Sequence, residues 1–445
     1  MEDEVFYQLT GNPFVDAGIW AICGWVEKEN PEDLTKDDLK KITKDIVPLY
    51  LTQEWSKNLF SIFPNNPVTN PSIKNKEEKL RQIYSDLIDQ LEPVNESGNC
   101  ISCGRREVSD IRTKSEIPLI GSGKLINFFP NGQPGGDYCP SCTLAVQFSP
   151  LALYSCVNFL LLQTNSGKVM HYWCKSSIQD IRSQILTRNY TGCFNEDYKN
   201  PVNALFHIIE DIILRYEERW VEENPSITLY HFTNYNQNPD LNIYRVPNSV
   251  FRFLADVKNE PEWKTKIVRR GYNWNKIKDK ENYKNRWNGV YSNLLNGKSI
   301  VGYFINRRNK QSYGGWNLLE YYLMEVRNMD SKRLETLKKV GDALSEYIKE
   351  TQNIKRLTQL ETASNFATFR NLLRLIEKER IKNASIDPIF TLEDFMTGLF
   401  PEGNLGWKET QDLLLFRIYE NLHNWLIEQD ELREEISVEE EKLEE

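Results

Sequence analysis

Four of the eight cysteines in this 445-residue chain form two pairs with the spacing of metal ligands. Cys100 pairs with Cys103 and Cys139 pairs with Cys142, and 35 residues separate the two pairs. Two intervening residues let both thiolates of a pair face one ion from a tight turn. Four thiolates with no open coordination position are typical of a structural Zn²⁺ ion, so the sequence predicts such a site. The alternative is two unrelated pairs of free or disulfide-bonded cysteines.

Glycines flank both pairs, because Gly104 follows the first and Gly135-Gly136 precede the second. Glycine allows the backbone to curl closely around a metal ion. The separation exceeds that of the commonest zinc motifs, so we expect residues 105–134 to contain a looped-out insertion. The other cysteines lie in mostly apolar contexts and are interpreted as core thiols of a protein in a reducing cytoplasm. They are Cys23, Cys156, Cys174 and Cys193.

Charge is distributed unevenly along the chain, whose net charge is −9. Residues 258–310 contain 14 Lys and Arg against 4 Asp and Glu, a local charge of +10. The last 20 residues contain 10 acidic and 2 basic residues. Such asymmetry indicates a surface that binds polyanions on an otherwise acidic protein.

The cations of residues 258–310 alternate with aromatic residues such as Tyr272, Trp274, Tyr283 and Trp287. Cations interleaved with aromatic rings suit phosphate contacts combined with stacking on bases or riboses. The alternative is a solvated surface with the aromatic rings buried beneath it. We favour the nucleic-acid interpretation.

Several elements must position these residues. Asn12 is predicted to cap a helix whose first residue is Pro13, and Thr35 is predicted to cap a second helix. Residues 144–163 and 169–173 predict strands around a turn at Asn165-Ser-Gly-Lys168, and residues 227–232 and 241–246 predict two more. From residue 317 onward, apolar stripes at helical spacing predict an antiparallel helical bundle.

The predicted fold class is therefore α+β: a mixed N-terminal domain with an inserted four-cysteine zinc module, followed by a C-terminal antiparallel helical bundle. No run of 18 apolar residues is present, so no membrane span is expected. The acidic N-terminus lacks the positive start of a signal peptide, which predicts a cytoplasmic protein. The predicted domains are a helical lobe at 1–96, the zinc module at 97–145, a mixed region at 146–315 and the helical bundle at 316–445.

We find no catalytic motif in the chain. It lacks a phosphate-binding Walker loop, a nucleophile elbow and the helical signature of zinc hydrolases. The expectation is a protein that performs no chemistry of its own.

Three stretches and the doubled Cys-x-x-Cys motif together resemble one known family. The stretches are Thr10-Gly-Asn-Pro-Phe-Val-Asp-Ala-Gly18, Ile227-Thr-Leu-Tyr-His-Phe-Thr-Asn-Tyr-Asn236 and Leu241-Asn-Ile-Tyr-Arg-Val-Pro247. The basic segment, residues 258–310, and the Gly314-Gly315-Trp316 sequence that precedes the helical bundle also fit this family. The chain resembles the CXXC-CXXC large subunit of type I-B CRISPR surveillance complexes (Cascade).

The resemblance implies a non-catalytic subunit that lies beside the 5′ end of the guide RNA (crRNA). It implies recognition of a short protospacer-adjacent motif (PAM) on double-stranded target DNA, opening of the duplex and retention of the displaced strand in the R-loop. The implied partners are the backbone, 5′-handle-binding and small subunits, and a helicase-nuclease recruited in trans for antiviral defence.

A PAM reader needs few base contacts and many phosphate contacts, because guide pairing supplies the remaining specificity. The predicted nucleic-acid-binding residues are Asn12, Lys266, Arg269, Arg270, Lys276, Arg286, Arg307, Arg308, Gly314 and Gly315. Asn12 and the two glycines are expected at a DNA groove, and the cations at phosphates. The alternatives are a stand-alone zinc-ribbon DNA-binding regulator and a metal-dependent nuclease.

Overall fold

The computed structural model describes residues 4–95, 97–108, 110–121, 134–215, 226–382 and 388–428. The chain divides into two compact units, Met1–Pro247 and Asn248–Glu445. The boundary differs from the four predicted segments, because the basic segment packs with the C-terminal helices. For example, Arg307 pairs with Asp412, and the Tyr322 hydroxyl accepts the Ile300 N–H at 3.1 Å.

Helices make up most of the first unit. Their bounds are α1 Pro13–Val26, α2 Lys36–Tyr50, α3 Gln53–Ile62, α4 Lys76–Asp89, α5 Pro140–Phe148, α6 Gly167–Thr187 and α7 Pro201–Arg215. The Asn12 Oδ1 accepts the N–H groups of Phe14 and Val15 at 3.0 and 3.3 Å. Thr35 and Asp38 form a reciprocal capping box at the start of α2. Both predicted caps are therefore confirmed.

Two antiparallel sheets accompany these helices. A short one pairs β1, Ile111–Arg112, with β2, Gly136–Asp137. The larger one has four strands in sequential order, β3 Tyr154–Cys156, β4 Asn158–Thr164, β5 Ile227–Thr233 and β6 Asp240–Val246. The predicted β5–β6 hairpin is confirmed, with Tyr230 opposite Ile243.

The strand prediction for residues 144–163 is confirmed at residues 154–156 and 158–163 but wrong at its start, and the strand prediction for residues 169–173 is wrong. Residues 144–148 belong to α5, and residues 169–173 belong to α6. Every residue from Ser141 to Tyr154 is buried, so this run has no polar side from which a helical period could be detected. In α6 the buried residues Val169, Trp173 and Ser177 recur every four positions, and the chain enters the helix at Gly167 instead of turning back as a hairpin.

The second unit contains mainly helices and one minimal hairpin. Their bounds are α8 Asn248–Asp256, α9 Gly289–Leu295, β7 Ile305–Asn306, β8 Gln311–Ser312, α10 Gly315–Glu325, α11 Ser331–Thr351, α12 Ile354–Thr362, α13 Phe366–Lys382 and α14 Trp407–Ile427. The predicted α+β class and the C-terminal helical region are confirmed. Within that region α11 and α14 run in the same direction. Arg417 donates a hydrogen bond to Asp342, and Asn421, further along α14, donates one to Ser345, further along α11.

Among the residues that the structure describes, no helix is both long and apolar enough to cross a bilayer.

The packing of α1 against α5 is tight enough to require glycine. A Cβ atom at Gly18 would lie 1.8 Å from the backbone oxygen of Ala145. Gly24, two turns further along α1, would place its Cβ 2.7 Å from the Ile178 Cδ1, which is the end of a flexible side chain. The backbone contact cannot be relieved by rotating a side chain, so Gly18 sets the distance between the two helices.

Replacing each of these two glycines with alanine distinguishes the effect of the backbone contact on stability from the effect of helix propensity. Gly18→Ala should lower the free energy of unfolding by at least about 3 kcal/mol, because overpacking against backbone outweighs the roughly 1 kcal/mol that alanine contributes to a helix. Gly24→Ala, the matched control, should change it by less than about 1 kcal/mol. Urea denaturation of both variants measures the difference. Equal effects of the two substitutions would contradict the α1–α5 packing.

Candidate metal centre and cationic surface

The sulfur atoms of Cys100, Cys103, Cys139 and Cys142 converge on one point, with all four within 4.8 Å of one another. The Sγ atoms of Cys103 and Cys139 are 3.9 Å apart. Four sulfurs bound tetrahedrally at about 2.3 Å from Zn²⁺ lie about 3.8 Å apart, so the cluster has the size of a zinc site. None of the eight cysteines is in a disulfide, and the cluster could hold a metal ion.

Each cysteine pair is shaped by its local backbone. In the first turn the Gly104 N–H donates to the Cys100 oxygen at 2.8 Å, and Gly104 adopts a φ of 64°, which favours glycine. The second pair begins helix α5, where the Cys139 Sγ accepts the Cys142 N–H at 3.5 Å and Pro140 is the first helical residue. The partial positive charge of a helix N-terminus stabilises thiolates at this position.

Electrostatics within the cluster suit a cation. Hydrogen bonds from the thiols of Cys103, Cys139 and Cys142 hold the pKa of Cys100 far below its usual value. The Cys100 thiolate in turn raises the pKa of Cys139 and of Cys142 well above theirs. The Cys100 sulfur raises the pKa of Cys103, but hydrogen bonds from Cys139 and Cys142 outweigh it and lower that pKa to about 6. Proton sharing among the sulfurs thus supports two thiolates, whereas a divalent cation allows all four to ionise. A soft, closed set of four thiolates fits a structural Zn²⁺ ion.

A turn at residues 10–12 fastens this cluster to the rest of the first unit. The Asp16 carboxylate accepts the N–H groups of Thr10 and Gly11 at 2.8 and 2.9 Å. The Asn12 Nδ2 then donates to the Tyr138 hydroxyl at 3.2 Å, beside Cys139. The Thr10–Gly18 stretch therefore has a structural task, and the predicted groove contact of Asn12 stays a prediction.

Arg106 is a second tie that the sequence did not reveal. Its side chain is 4 % exposed and donates to the backbone oxygens of Phe6 and Glu92, at 2.6 and 3.0 Å. The sequence placed this arginine within the predicted insertion, since nothing in its neighbours indicates burial. The sequence did contain a signal for the start of helix α5, because Pro140 is a proline and proline is favoured at the first position of a helix. The middle of the insertion, residues 122–133, lies outside the described residues.

A comparison with known protein families finds a match on this module. Residues 93–154 match the family described as CRISPR-associated protein (Cas_CXXC_CXXC). The matched stretch is therefore similar to a family of CRISPR-associated proteins. It covers about one seventh of the chain and includes all four clustered cysteines. No curated protein and no solved structure matches the chain.

The predicted cationic residues have different surroundings, and two of them face inward. Arg270 donates from Nε to the Tyr303 oxygen and from Nη2 to the Ile305 oxygen, both at 3.0 Å. Its guanidinium also lies 4.2 Å from the centre of the Tyr313 ring. Arg307 pairs with Asp412 and donates to the Glu361 oxygen at 2.9 Å. Both arginines therefore hold the second unit together.

Other predicted cations lie at the surface. Lys266, Arg269, Lys276, Arg286 and Arg308 are exposed. Within the described part of the chain, Lys266 and Lys276 form no ion pair. The guanidinium of Arg269 lies over the Trp274 ring, 5.0 Å from its centre. Because Lys266 and Lys276 lie in solvent, they are available for phosphates, and their phosphate contacts stay a prediction.

The Gly314-Gly315 turn starts helix α10. Both residues have positive φ, 80° and 66°, which favours glycine at this turn. The Glu420 carboxylate accepts the Trp316 N–H at 2.7 Å, so a negative charge already occupies this helix N-terminus. A groove contact by the two glycines stays a prediction.

Cys139→Ser removes one zinc ligand but keeps an N-cap for helix α5, because serine is itself a good N-cap. Its effects therefore report the loss of the metal ligand. We expect one zinc ion per chain in the unaltered protein and loss of that zinc in the variant. Structural zinc binding contributes about 10–16 kcal/mol, so the variant should also unfold around the module or become insoluble. Elemental analysis of protein purified without chelators measures the metal.

The matched control for this experiment is Cys193→Ser, which alters a buried thiol outside the cluster. Its zinc content should equal that of the unaltered protein. Unaltered protein without bound metal would contradict the zinc assignment.

Proposed function

We propose that this chain is the non-catalytic large subunit of a type I-B CRISPR RNA-guided surveillance complex (Cascade). In this role it binds the 5′ end of the guide RNA, recognises the PAM of double-stranded target DNA and stabilises the R-loop. It also recruits the helicase-nuclease that cuts the target. The observation that carries the proposal is the CRISPR-associated family match over the four-cysteine module.

The distribution of charge supports a nucleic-acid partner. The protein is acidic overall, with a net charge of −9, and its strongest local positive charge lies in residues 258–310. Exposed Lys266 and Lys276 belong to this segment. A subunit that reads only a short DNA motif makes mainly phosphate contacts, and lysines at the surface suit that task.

The four-cysteine module supports a scaffold role. Four thiolates complete the coordination of a zinc ion and leave no position for a substrate or a reactive water. A closed site of this kind stabilises a fold and performs no chemistry. The proposal therefore assigns target cleavage to the recruited helicase-nuclease.

Co-purification tests the proposal directly. The tagged chain, produced together with a guide RNA and the other subunits of its complex, should retain both the RNA and the backbone subunits. A tagged Cys139→Ser chain should lose them if the module is needed for assembly, and Cys193→Ser should retain them. Recovery of the chain alone, with tight binding to a defined duplex without guide RNA, would instead support a regulator of transcription. Metal-dependent cleavage abolished by changing one carboxylate would support a nuclease.

Charge reversal tests the cationic surface. Lys266→Glu combined with Lys276→Glu should weaken target-DNA binding by the assembled complex and make its salt dependence shallower, by about 0.9 in the log–log slope for each duplex phosphate that the variant no longer binds. Arg270 and Arg307 are unsuitable for this purpose, since their internal bonds would also be broken. Lys44→Glu and Lys74→Glu, which alter exposed lysines of the first unit, serve as the charge-matched control. Unchanged affinity and slope in the test variant would make residues 258–310 a solvated surface.

A further inference from the structure

Residues 273–287 form a loop whose two ends are joined. Tyr272 and Asn288 pair as an antiparallel bridge, and the Gly289 N–H donates to the Gly271 oxygen at 2.8 Å. The loop carries five Lys or Arg residues and two acidic residues. It is thus a compact positively charged excursion that starts and ends at one place on the second unit.

Asn288 fixes the base of this loop. Its side chain is 1 % exposed, its Nδ2 donates to the Val268 oxygen at 3.0 Å, and its Oδ1 accepts the N–H groups of Val290 and Tyr291. A Cβ at Gly271 would lie 2.1 Å from that Oδ1. The backbone at residue 288 is therefore held by the bridge, by the start of α9 and by close packing.

Three aromatic rings fill the loop. The ring centres of Tyr272 and Tyr283 are 5.1 Å apart, and those of Trp274 and Tyr283 are 5.5 Å apart. The Trp274 Nε1 donates to the Arg269 oxygen at 2.9 Å. These mutual contacts give the loop a small core of its own, so its surface has a defined shape.

Trp287 is not part of that core. Trp287 is 59 % exposed, and every other tryptophan among the described residues is less exposed. It directly precedes the fixed Asn288, and a Cβ at Gly289 would lie 3.1 Å from its Cη2 atom. The indole is therefore presented to solvent from a rigid support, although water is an unfavourable environment for so large an apolar surface.

We propose that Trp287 stacks on an unpaired nucleobase of a single-stranded nucleic acid, whose phosphates contact the cations of the loop. An exposed aromatic ring among positive charges is the usual platform for unpaired bases. Inside a duplex each base face is covered by its neighbours, so an indole at the protein surface finds an uncovered base face only at the duplex ends. The net positive charge favours a nucleic acid over an apolar protein surface. The inference deepens the proposed function, on which it rests, by naming unpaired nucleotides as the ligand.

The test uses the full chain and two labelled probes, a 15-nucleotide oligo(dT) strand and a 15-base-pair duplex. Trp287→Ala should weaken binding of oligo(dT) by about 5- to 140-fold, which corresponds to the loss of one stacked base. Its salt slope should be unchanged, since every phosphate contact is retained. Trp287→Phe should restore most of the affinity, and duplex binding should not respond to either change. Fluorescence anisotropy measures all of these.

An abasic strand of the same length provides the control for the base itself. Trp287→Ala should leave its binding unchanged, whereas Lys276→Glu should weaken binding of all three probes. Equal binding of oligo(dT) by Trp287→Ala and the unaltered chain, or an equal weakening for strand and duplex, would overturn the inference. A change of oligomeric state with unaltered oligonucleotide binding would assign the indole to a protein interface and also overturn it. Failure of guide-RNA co-purification with intact Trp287-dependent binding would overturn the proposed subunit role alone.

Discussion

Four sulfur atoms within 4.8 Å of one another are the constraint on which the first unit depends. They bring together two chain segments that are separated by 35 residues. One segment is a turn that ends in a glycine, and the other is the start of α5. Helix α5 in turn contacts α1 at Gly18 so closely that no side chain fits between them. A structural zinc ion contributes about as much free energy as the whole stability of a domain, about 5–15 kcal/mol. The position of α5, and through it the position of α1, is therefore coupled to the state of the sulfurs.

The turn at residues 10–12 transmits this constraint further. The Gly11 oxygen accepts a hydrogen bond from the Gln163 Nε2 at 3.0 Å. The Asn12 side chain donates a hydrogen bond to the Tyr138 hydroxyl and also caps α1. One turn thus links the cysteine module, a helix and strand β4. Each of these bonds is modest, of the order of 1 kcal/mol, but together they fix the orientation of three elements that have no sequence proximity.

The second unit divides its cations into two groups with different physical roles. Arg270 and Arg307 turn inward, where a planar guanidinium can satisfy several backbone oxygens at once. Lys266 and Lys276 remain in water, which suits a compact, strongly hydrated ammonium group. The positive charge of residues 258–310 consequently overstates the number of cations available to a polyanion. Some of the cations that remain at the surface lie on a loop, residues 273–287, with its own aromatic core and one exposed indole.

The sequence alone determined those features that depend on neighbours along the chain. The caps at Asn12 and Thr35, the metal-ligand spacing of the cysteines and the two strands β5 and β6 depend on local sequence, and each was predicted correctly. Tertiary structure decided the rest. Residues 144–148 form a helix although they are buried all around, because burial erases the polar positions that reveal a period. The direction of each arginine, the burial of Arg106 and the unit boundary at residue 247 depend on contacts with residues distant in sequence, and no local pattern encodes those contacts.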